Sequence, residues 1–207
     1  MVMPDTSPRG IDDKIPDVGK AFNVGYGAGQ YCNATQAPWS THFNMFTYVT
    51  EELPTVVESY FHVDRERRSV TGFSMGGNGA LICAAKCPGR YRSFSAFSPI
   101  GWPIKCERFS TEALTKYFGN LDYAKPYSGV DVLNEAGSNL RLPPGYIDVA
   151  SRDQFIDCLN WPDLIEALNT NGHRVPVNWH EDYNHSFFFV NDFIEEHIDF
   201  HAAHLYN

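Results

Sequence analysis

Ser69-Val-Thr-Gly-Phe-Ser-Met-Gly-Gly-Asn-Gly-Ala-Leu-Ile-Cys-Ala-Ala-Lys-Cys87 is the stretch that decides the fold. The β-branched residues at its start predict the end of a short buried strand, and the small and apolar residues 80–85 predict a buried helix. Between them lies G-x-S-x-G centred on Ser74, an arrangement typical of a nucleophile elbow. We predict a strained backbone at Ser74, with glycine needed at both Gly72 and Gly76 to relieve crowding.

This turn also predicts where negative charge is stabilised. The backbone N–H of Met75 and the positive end of the following helix face any oxyanion that forms next to Ser74. Met75 is therefore the predicted oxyanion-hole donor.

The composition is that of a globular protein of one domain. The chain has 207 residues, of which 43% are hydrophobic and 14% aromatic, and its formal net charge is −9 without a run of basic residues. This charge disfavours a nucleic-acid partner and an anionic membrane surface. No signal peptide, membrane span or lipidation motif is visible.

The five cysteines do not predict a disulfide framework or a metal site. They form no C-x-x-C pair, and their odd number leaves one unpaired in any disulfide scheme. Together with the missing signal peptide, this favours a reducing, cytoplasmic location. The cysteines are Cys32, Cys83, Cys87, Cys106 and Cys158.

Strand and helix patterns alternate along the rest of the chain, which predicts an α/β fold around a mainly parallel sheet with flanking helices. Apolar residues at helical spacing run from Thr41 to Tyr60, with Pro54 predicting a kink or a break. The remaining predicted strands are 94–97, 146–150 and 175–179, the last at an edge because of Pro176. The remaining predicted helices are 111–118, 161–171 and 186–205.

A serine nucleophile needs a histidine base, and in the fold that carries this elbow the chain order is serine, acid, histidine. His42 and His62 precede Ser74 and are out of order. His185 follows the last predicted strand on a loop, where the base belongs. His180, at the end of that strand, is its one serious rival.

The base in turn needs a carboxylate to hold its tautomer. Asp153 lies a few residues after the strand 146–150, on the loop at its C-terminal end. Asp148 lies inside that strand, Asp157 on the following helix or loop, and Asp182 too near the histidine for a face-on approach. We therefore predict Ser74, Asp153 and His185 as the catalytic residues.

Three further histidines share one face of the last predicted helix. They are His197, His201 and His204, and their spacing alone is compatible with a metal ion. No H-E-x-x-H sequence is present and no carboxylate ligand is evident, so we predict no metal there.

Longer motifs resemble the S-formylglutathione hydrolase (esterase D) family. They run from Pro4 to the C-terminus and are more specific than G-x-S-x-G. They comprise Pro4-Asp-Thr-Ser-Pro-Arg-Gly10, Gly27-Ala-Gly29, Ala34-Thr35, Pro38-Trp39, Tyr48-Val-Thr-Glu-Glu-Leu-Pro54, Ser74-Met-Gly-Gly77, Gly79-Ala-Leu-Ile-Cys83, Asp153-Gln-Phe155, and Glu181-Asp-Tyr183 with His185-Ser186.

The resemblance implies an α/β-hydrolase fold and a serine thioesterase that cleaves S-formylglutathione to glutathione and formate in formaldehyde detoxification. It implies no cofactor, a small-molecule thioester or ester as substrate, and catalytic motifs that fall on Ser74, Asp153 and His185. The chain departs from the family pattern near the expected pocket. The departures are at Phe73, Asn78, Phe22-Asn23, Asn33, Gln36, 101–103 and 106–109.

The family also has several strands, and a loop that supplies a second oxyanion N–H, before the Pro4-Asp5 motif. We therefore expect residues 1–207 to form a single α/β-hydrolase domain without the N-terminal strands. An uncovered sheet edge would favour a homodimer. The alternative functions are a broader carboxylesterase with an altered pocket and a catalytically impaired remnant.

Overall fold

The computed structural model describes residues 1–206 and is built around a four-stranded parallel sheet in the order β1-β2-β3-β4. Each strand pairs in parallel with the next one along the chain. Parallel neighbours need a crossover connection, and helices lie in each of the three crossovers. The predicted α/β fold is confirmed. The strands are β1 (Ser69–Phe73), β2 (Ser93–Phe97), β3 (Gly145–Ala150) and β4 (Val177–His180).

The helices of residues 1–206 lie around this sheet and along the loops above it. The predicted helices 111–118, 161–171 and 186–205 are confirmed within one residue at each end. The α-helices are α1 (Met45–Thr47), α2 (Leu53–Tyr60), α3 (Met75–Lys86), α4 (Thr111–Phe118), α5 (Gly129–Ala136), α6 (Ile156–Leu159), α7 (Trp161–Thr170) and α8 (Phe187–Leu205). Short 3-10 helices span Trp39–Thr41, Pro103–Lys105, Leu121–Tyr127 and Gly137–Asn139.

The helical pattern predicted from Thr41 to Tyr60 is interrupted before its proline, as expected. A π-helical turn, Tyr48–Glu52, separates α1 from α2, and Pro54 occupies the first turn of α2. Proline has no N–H to donate, so it is tolerated in a first turn and disruptive further along. The wider π turn marks the point where the regular hydrogen-bond ladder breaks.

Two apolar clusters form most of the core. The first lies between the sheet and helices α3, α5 and α7, and includes Phe94, Ile147 and Trp161. The second joins the N-terminal loops to α4 around the buried Tyr117. The Tyr117 hydroxyl accepts a hydrogen bond from the Gly25 N–H and donates one to the Ala28 carbonyl, both at 2.9 Å. These bonds hold the glycine-rich loop 25–29 as a close-packed segment.

The opposite face of the sheet meets α8 through polar side chains, which we call the polar seam: Ser93, Ser95, Asp148, His197 and His201. The two serines alternate with Phe94 and Ala96 along β2 and therefore face α8. His197 Nδ1 lies 2.8 Å from the Ser95 hydroxyl. His201 lies 2.8 Å from Ser95 and 2.7 Å from Ser93. All five residues are buried, so α8 is fixed by a specific hydrogen-bond pattern.

None of the helices in residues 1–206 combines the length and the apolar character needed to cross a membrane.

Candidate active site

The predicted elbow is present at the C-terminal end of β1. Ser74 has φ 57° and ψ −115°, a region that side chains other than glycine rarely adopt. Its N–H donates to the Phe97 carbonyl at 2.8 Å, which fixes the turn to the neighbouring strand. A Cβ atom on Gly72 would lie 2.1 Å from the Gly76 carbonyl oxygen, so glycine is required at Gly72.

The second glycine of the motif is not crowded. A Cβ atom on Gly76 would meet the Tyr31 ring at 3.8 Å, an ordinary contact distance. The prediction that glycine relieves crowding at both positions is therefore wrong for Gly76. The close approach is one-sided, because it is a side chain on Gly72 that would collide with the Gly76 backbone.

The N-terminus of α3 begins directly after Ser74. The Ser74 carbonyl accepts hydrogen bonds from the Gly77 N–H at 3.0 Å and the Asn78 N–H at 3.3 Å. The Met75 N–H is the first of α3, and no carbonyl four residues earlier belongs to the helix to accept it. Within residues 1–206 the Met75 N–H has no partner, so an available donor and the positive end of a helix lie beside the serine, where the sequence predicted the oxyanion site.

The predicted acid and base lie together at the ends of β3 and β4. His185 Nδ1 is 2.5 Å from Asp153 Oδ2, and the other carboxylate oxygen accepts the Phe155 N–H at 2.8 Å. Asp153 is buried, with 3% of its surface exposed. A carboxylate can only accept, so this contact selects the neutral tautomer with its proton on Nδ1 and its lone pair on Nε2.

The loops that carry this pair are tied to each other. The Gln154 side chain accepts the His185 N–H at 3.0 Å and donates to the His185 carbonyl at 3.4 Å. The backbone N–H of Arg152 donates to the Tyr183 carbonyl at 2.9 Å. The position of the imidazole is therefore set by backbone contacts as well as by its carboxylate.

The rival residues lie elsewhere. His180 Nε2 is 3.1 Å from the buried Asp148, which itself lies in the polar seam 3.2 Å from His197. Burial alone raises the pKa of Asp148, but its contacts with His197 and Asn178 outweigh burial and lower it. Asp182 is exposed and pairs with Arg152 at 2.7 Å. Neither His180 nor Asp182 contacts the pair formed by Asp153 and His185.

The three histidines considered as metal ligands serve packing. His197 and His201 belong to the polar seam, and His204 Nδ1 bonds the Phe200 carbonyl at 2.8 Å. Across residues 1–206, no group of three or more histidine, cysteine or acidic side chains is arranged to hold a metal ion.

Ser74 and His185 line the same cleft. The structure of residues 1–206 contains no hydrogen bond between their side chains. The Phe73 ring, next to Ser74 in the chain, packs against the base, with its centroid 4.5 Å from that of the imidazole at an interplanar angle of 32°. Catalytic hydrogen bonds are often long without substrate and tighten in the complex. The arrangement can generate a serine nucleophile once the imidazole reaches the Ser74 hydroxyl.

The cysteine thiols do not compete with this serine as nucleophiles. Burial raises the pKa of Cys83 and of Cys106 to about 12. Burial also raises the pKa of Cys32, Cys87 and Cys158. Since the thiolate is the reactive form, all five stay protonated and unreactive near neutral pH.

Sequence reasoning missed several residues around the imidazole. The tilted Phe73 ring packs against it, the Phe155 ring meets it edge-on at 5.3 Å and 74°, and Gln154 bonds the His185 backbone. The last two adjoin Asp153, which is a signal that could have indicated them. Arg108 also contacts Phe155, and the sequence marked 106–109 only as a departure from the family pattern, without indicating this contact.

Comparison with known proteins agrees with this geometry. The family model described as "Putative esterase" matches residues 1–200. The S-formylglutathione hydrolase of Mus musculus is 40% identical over 210 residues, which cover 99% of this chain and 72% of the mouse protein.

Solved structures show the same relationship. The S-formylglutathione hydrolase of Agrobacterium tumefaciens superposes with a TM-score of 0.90 at 37% identity, covering 98% of this chain and 72% of the bacterial one. A fluorophosphonate-binding serine hydrolase of Staphylococcus aureus superposes with a TM-score of 0.68 at 18% identity, covering 84% and 67%, and shares the fold. The chain therefore belongs to the esterase family of serine hydrolases with the α/β-hydrolase fold, the family that includes the S-formylglutathione hydrolases.

Proposed function

We propose that the protein hydrolyses S-formylglutathione to glutathione and formate, with Ser74 as nucleophile, His185 as base and Asp153 as the acid that holds the base. The 2.5 Å contact of Asp153 with His185, in one cleft with the strained Ser74, is the observation that carries this proposal. The substrate is taken from the mouse and Agrobacterium relatives, which are S-formylglutathione hydrolases.

The reaction begins with proton transfer. His185 Nε2 takes the proton of the Ser74 hydroxyl as the oxygen attacks the formyl carbon, and Asp153 stabilises the imidazolium that forms. The former carbonyl oxygen becomes an oxyanion facing the Met75 N–H and the N-terminus of α3. Its collapse breaks the carbon–sulfur bond, and the glutathione thiolate takes the proton from the imidazolium.

Water completes the cycle. His185 removes a proton from a water molecule as it attacks the formyl-enzyme, and the second tetrahedral intermediate collapses to release formate and restore the Ser74 hydroxyl. No step needs a cofactor, since the carbonyl is activated by hydrogen bonds alone. We also propose a cytosolic location, which five free cysteine thiols support. A role in formaldehyde detoxification rests on the proposed substrate.

The test combines labelling with turnover. A fluorophosphonate should modify Ser74 and no other residue, and Ser74→Ala should lower kcat for S-formylglutathione by roughly 10⁴–10⁶. Comparison with p-nitrophenyl acetate separates a thioesterase from a general carboxylesterase. Hydrolysis of the aryl ester without S-formylglutathione turnover would refute the proposed substrate, and labelling of another serine would refute the nucleophile.

A further inference from the structure

Arg108 differs from the other cations of the active-site cleft. Four lysine or arginine side chains line the cleft that contains Ser74 and His185. Arg108 is the one whose guanidinium has no hydrogen-bond or ion-pair partner within residues 1–206. The other three form ion pairs: Lys20 with Asp17, Arg67 with Asp64, and Arg68 with Glu58.

Two aromatic rings hold the Arg108 guanidinium. Its Cζ atom lies 4.8 Å from the centroid of Phe155 and 5.5 Å from that of Phe109. These two rings pack edge-to-face with centroids 4.8 Å apart. A cation–π contact restricts the cation without using its N–H donors. Arg108 therefore presents up to five unused donors from a restrained position.

This position is close to the reacting atoms. The Phe155 ring that supports Arg108 also contacts the His185 imidazole, at 5.3 Å between centroids. In an extended tripeptide the two carboxylates of glutathione lie roughly 6–10 Å from the sulfur. A thioester placed with its carbonyl at Ser74 can thus bring one carboxylate to Arg108.

The overall charge of the protein disfavours the approach of such a substrate. The protein has a formal net charge of −9, and S-formylglutathione carries two carboxylates and one ammonium group. The summed field of the protein therefore repels the substrate at long range. An arginine with free donors at the mouth of the site offsets this repulsion and can bind a carboxylate with two parallel hydrogen bonds.

We propose that Arg108 binds a carboxylate of the glutathione moiety and so selects anionic thioesters, an inference that rests on the proposed function. The carboxylate is remote from the formyl carbon, and its charge does not change during the reaction. Arg108 therefore stabilises bound substrate and transition state equally, which lowers KM and leaves kcat unchanged.

The experiment is a kinetic comparison of variants and substrates. Arg108→Gln should raise KM for S-formylglutathione about 5–20-fold with kcat within twofold, and Arg108→Lys should restore part of the affinity. Lys20→Gln is the matched control, since Lys20 lines the same cleft but is already paired, and it should change KM less than twofold. Unchanged kinetics of Arg108→Gln with p-nitrophenyl acetate would show that the variant is folded.

Two further readouts separate charge recognition from packing. The substrate with both carboxyl groups ethylated should show the same KM for wild type and Arg108→Gln. Raising the ionic strength from 20 to 300 mM should raise the wild-type KM for S-formylglutathione more than that of the variant.

An equal KM increase with the diester, or no increase with S-formylglutathione, would overturn the role of Arg108 while leaving the proposed function intact. A wild-type enzyme that does not turn over S-formylglutathione would instead refute the proposed function.

Discussion

Replacing Asp153 by asparagine removes one acceptor from a carboxylate that uses both of its oxygens. Asp153 Oδ2 contacts His185 Nδ1 at 2.5 Å, while Oδ1 accepts the Phe155 N–H at 2.8 Å. An asparagine side chain has a single acceptor oxygen and presents an NH₂ group at the other position. In one of the two contacts, with His185 Nδ1 or with the Phe155 N–H, the asparagine NH₂ group must therefore face another hydrogen-bond donor.

Each orientation of the amide has a different consequence. If the oxygen stays with the Phe155 N–H, the NH₂ group faces Nδ1 and forces the imidazole proton onto Nε2. That tautomer cannot accept the Ser74 proton. If the oxygen instead turns to His185, the half-buried Phe155 N–H loses its acceptor, which costs about 1 kcal/mol of stability.

We therefore expect Asp153→Asn to lower kcat by about 10⁴, which corresponds to about 5 kcal/mol in the activation barrier. KM should change little, since Asp153 is buried behind the imidazole. The assay is steady-state hydrolysis of S-formylglutathione and of p-nitrophenyl acetate, with the thermal midpoint measured in parallel.

The same substitution at neighbouring positions supplies the controls. Asp157→Asn lies on the exposed side of α6, and Asp182→Asn removes the rival carboxylate that pairs with Arg152. Both should keep kcat within about threefold. A loss smaller than tenfold in Asp153→Asn, or a larger loss in Asp182→Asn, would refute the assignment of Asp153.

Three further predictions concern stability. Gly72→Ala places a Cβ atom 2.1 Å from the Gly76 oxygen and should lower the free energy of unfolding by more than about 3 kcal/mol. Gly76→Ala should change the free energy of unfolding by about 1 kcal/mol or less, and equal urea midpoints for the two variants would contradict this. Asn78→Ala removes the hydrogen bonds of the side-chain amide to the Tyr127 carbonyl and the Gly129 N–H, and should lower the free energy of unfolding by about 2–3 kcal/mol. An unchanged thermal midpoint would show that these hydrogen bonds are dispensable. Burial, and to a smaller extent the nearby His197 and His204, lower the pKa of His201 from 6.5 to about 4. Between these two pH values the unfolded chain binds a proton at His201 that the native state does not bind. The contribution of His201 to the free energy of unfolding is complete above pH 6.5, and about 2–3 kcal/mol of it is lost as the pH falls from 6.5 to 4. His201→Gln should therefore make the urea midpoint depend less on pH between pH 7 and pH 4.5. Parallel plots of midpoint against pH for the wild type and the variant would argue against this.

The sequence predicted those features whose cause is local. Ser74 was identified because G-x-S-x-G between a strand and a helix encodes one particular turn, and the structure has that turn. The break before Pro54 follows from the missing N–H of proline. Asp153 and His185 were predicted from chain order and from their place after strands, and the structure brings them together.

Contacts between distant segments were not predictable from local patterns. His197 and His201 carried a spacing signal, but their partners Ser93 and Ser95 sit in a strand whose composition indicates only burial. Arg108 lies on a loop without periodicity, and its significance depends on Phe155, 47 positions later, which only the fold brings next to it. Crowding at the elbow was predicted for both Gly72 and Gly76, because the sequence does not show which of the two positions would bring a side chain into the backbone of the other.

The polar seam makes the sequence of α8 depend on that of β2, about a hundred positions earlier in the chain. Its serine–histidine hydrogen bonds join residues separated by 102 to 108 positions. An apolar residue introduced on one side alone leaves a buried polar partner unsatisfied, at about 1–3 kcal/mol for each group. Substitutions at positions 93, 95, 197 and 201 should therefore be accepted only as a set. A chimera that exchanges α8 with a relative lacking the two histidines should fold only if β2 is exchanged with it.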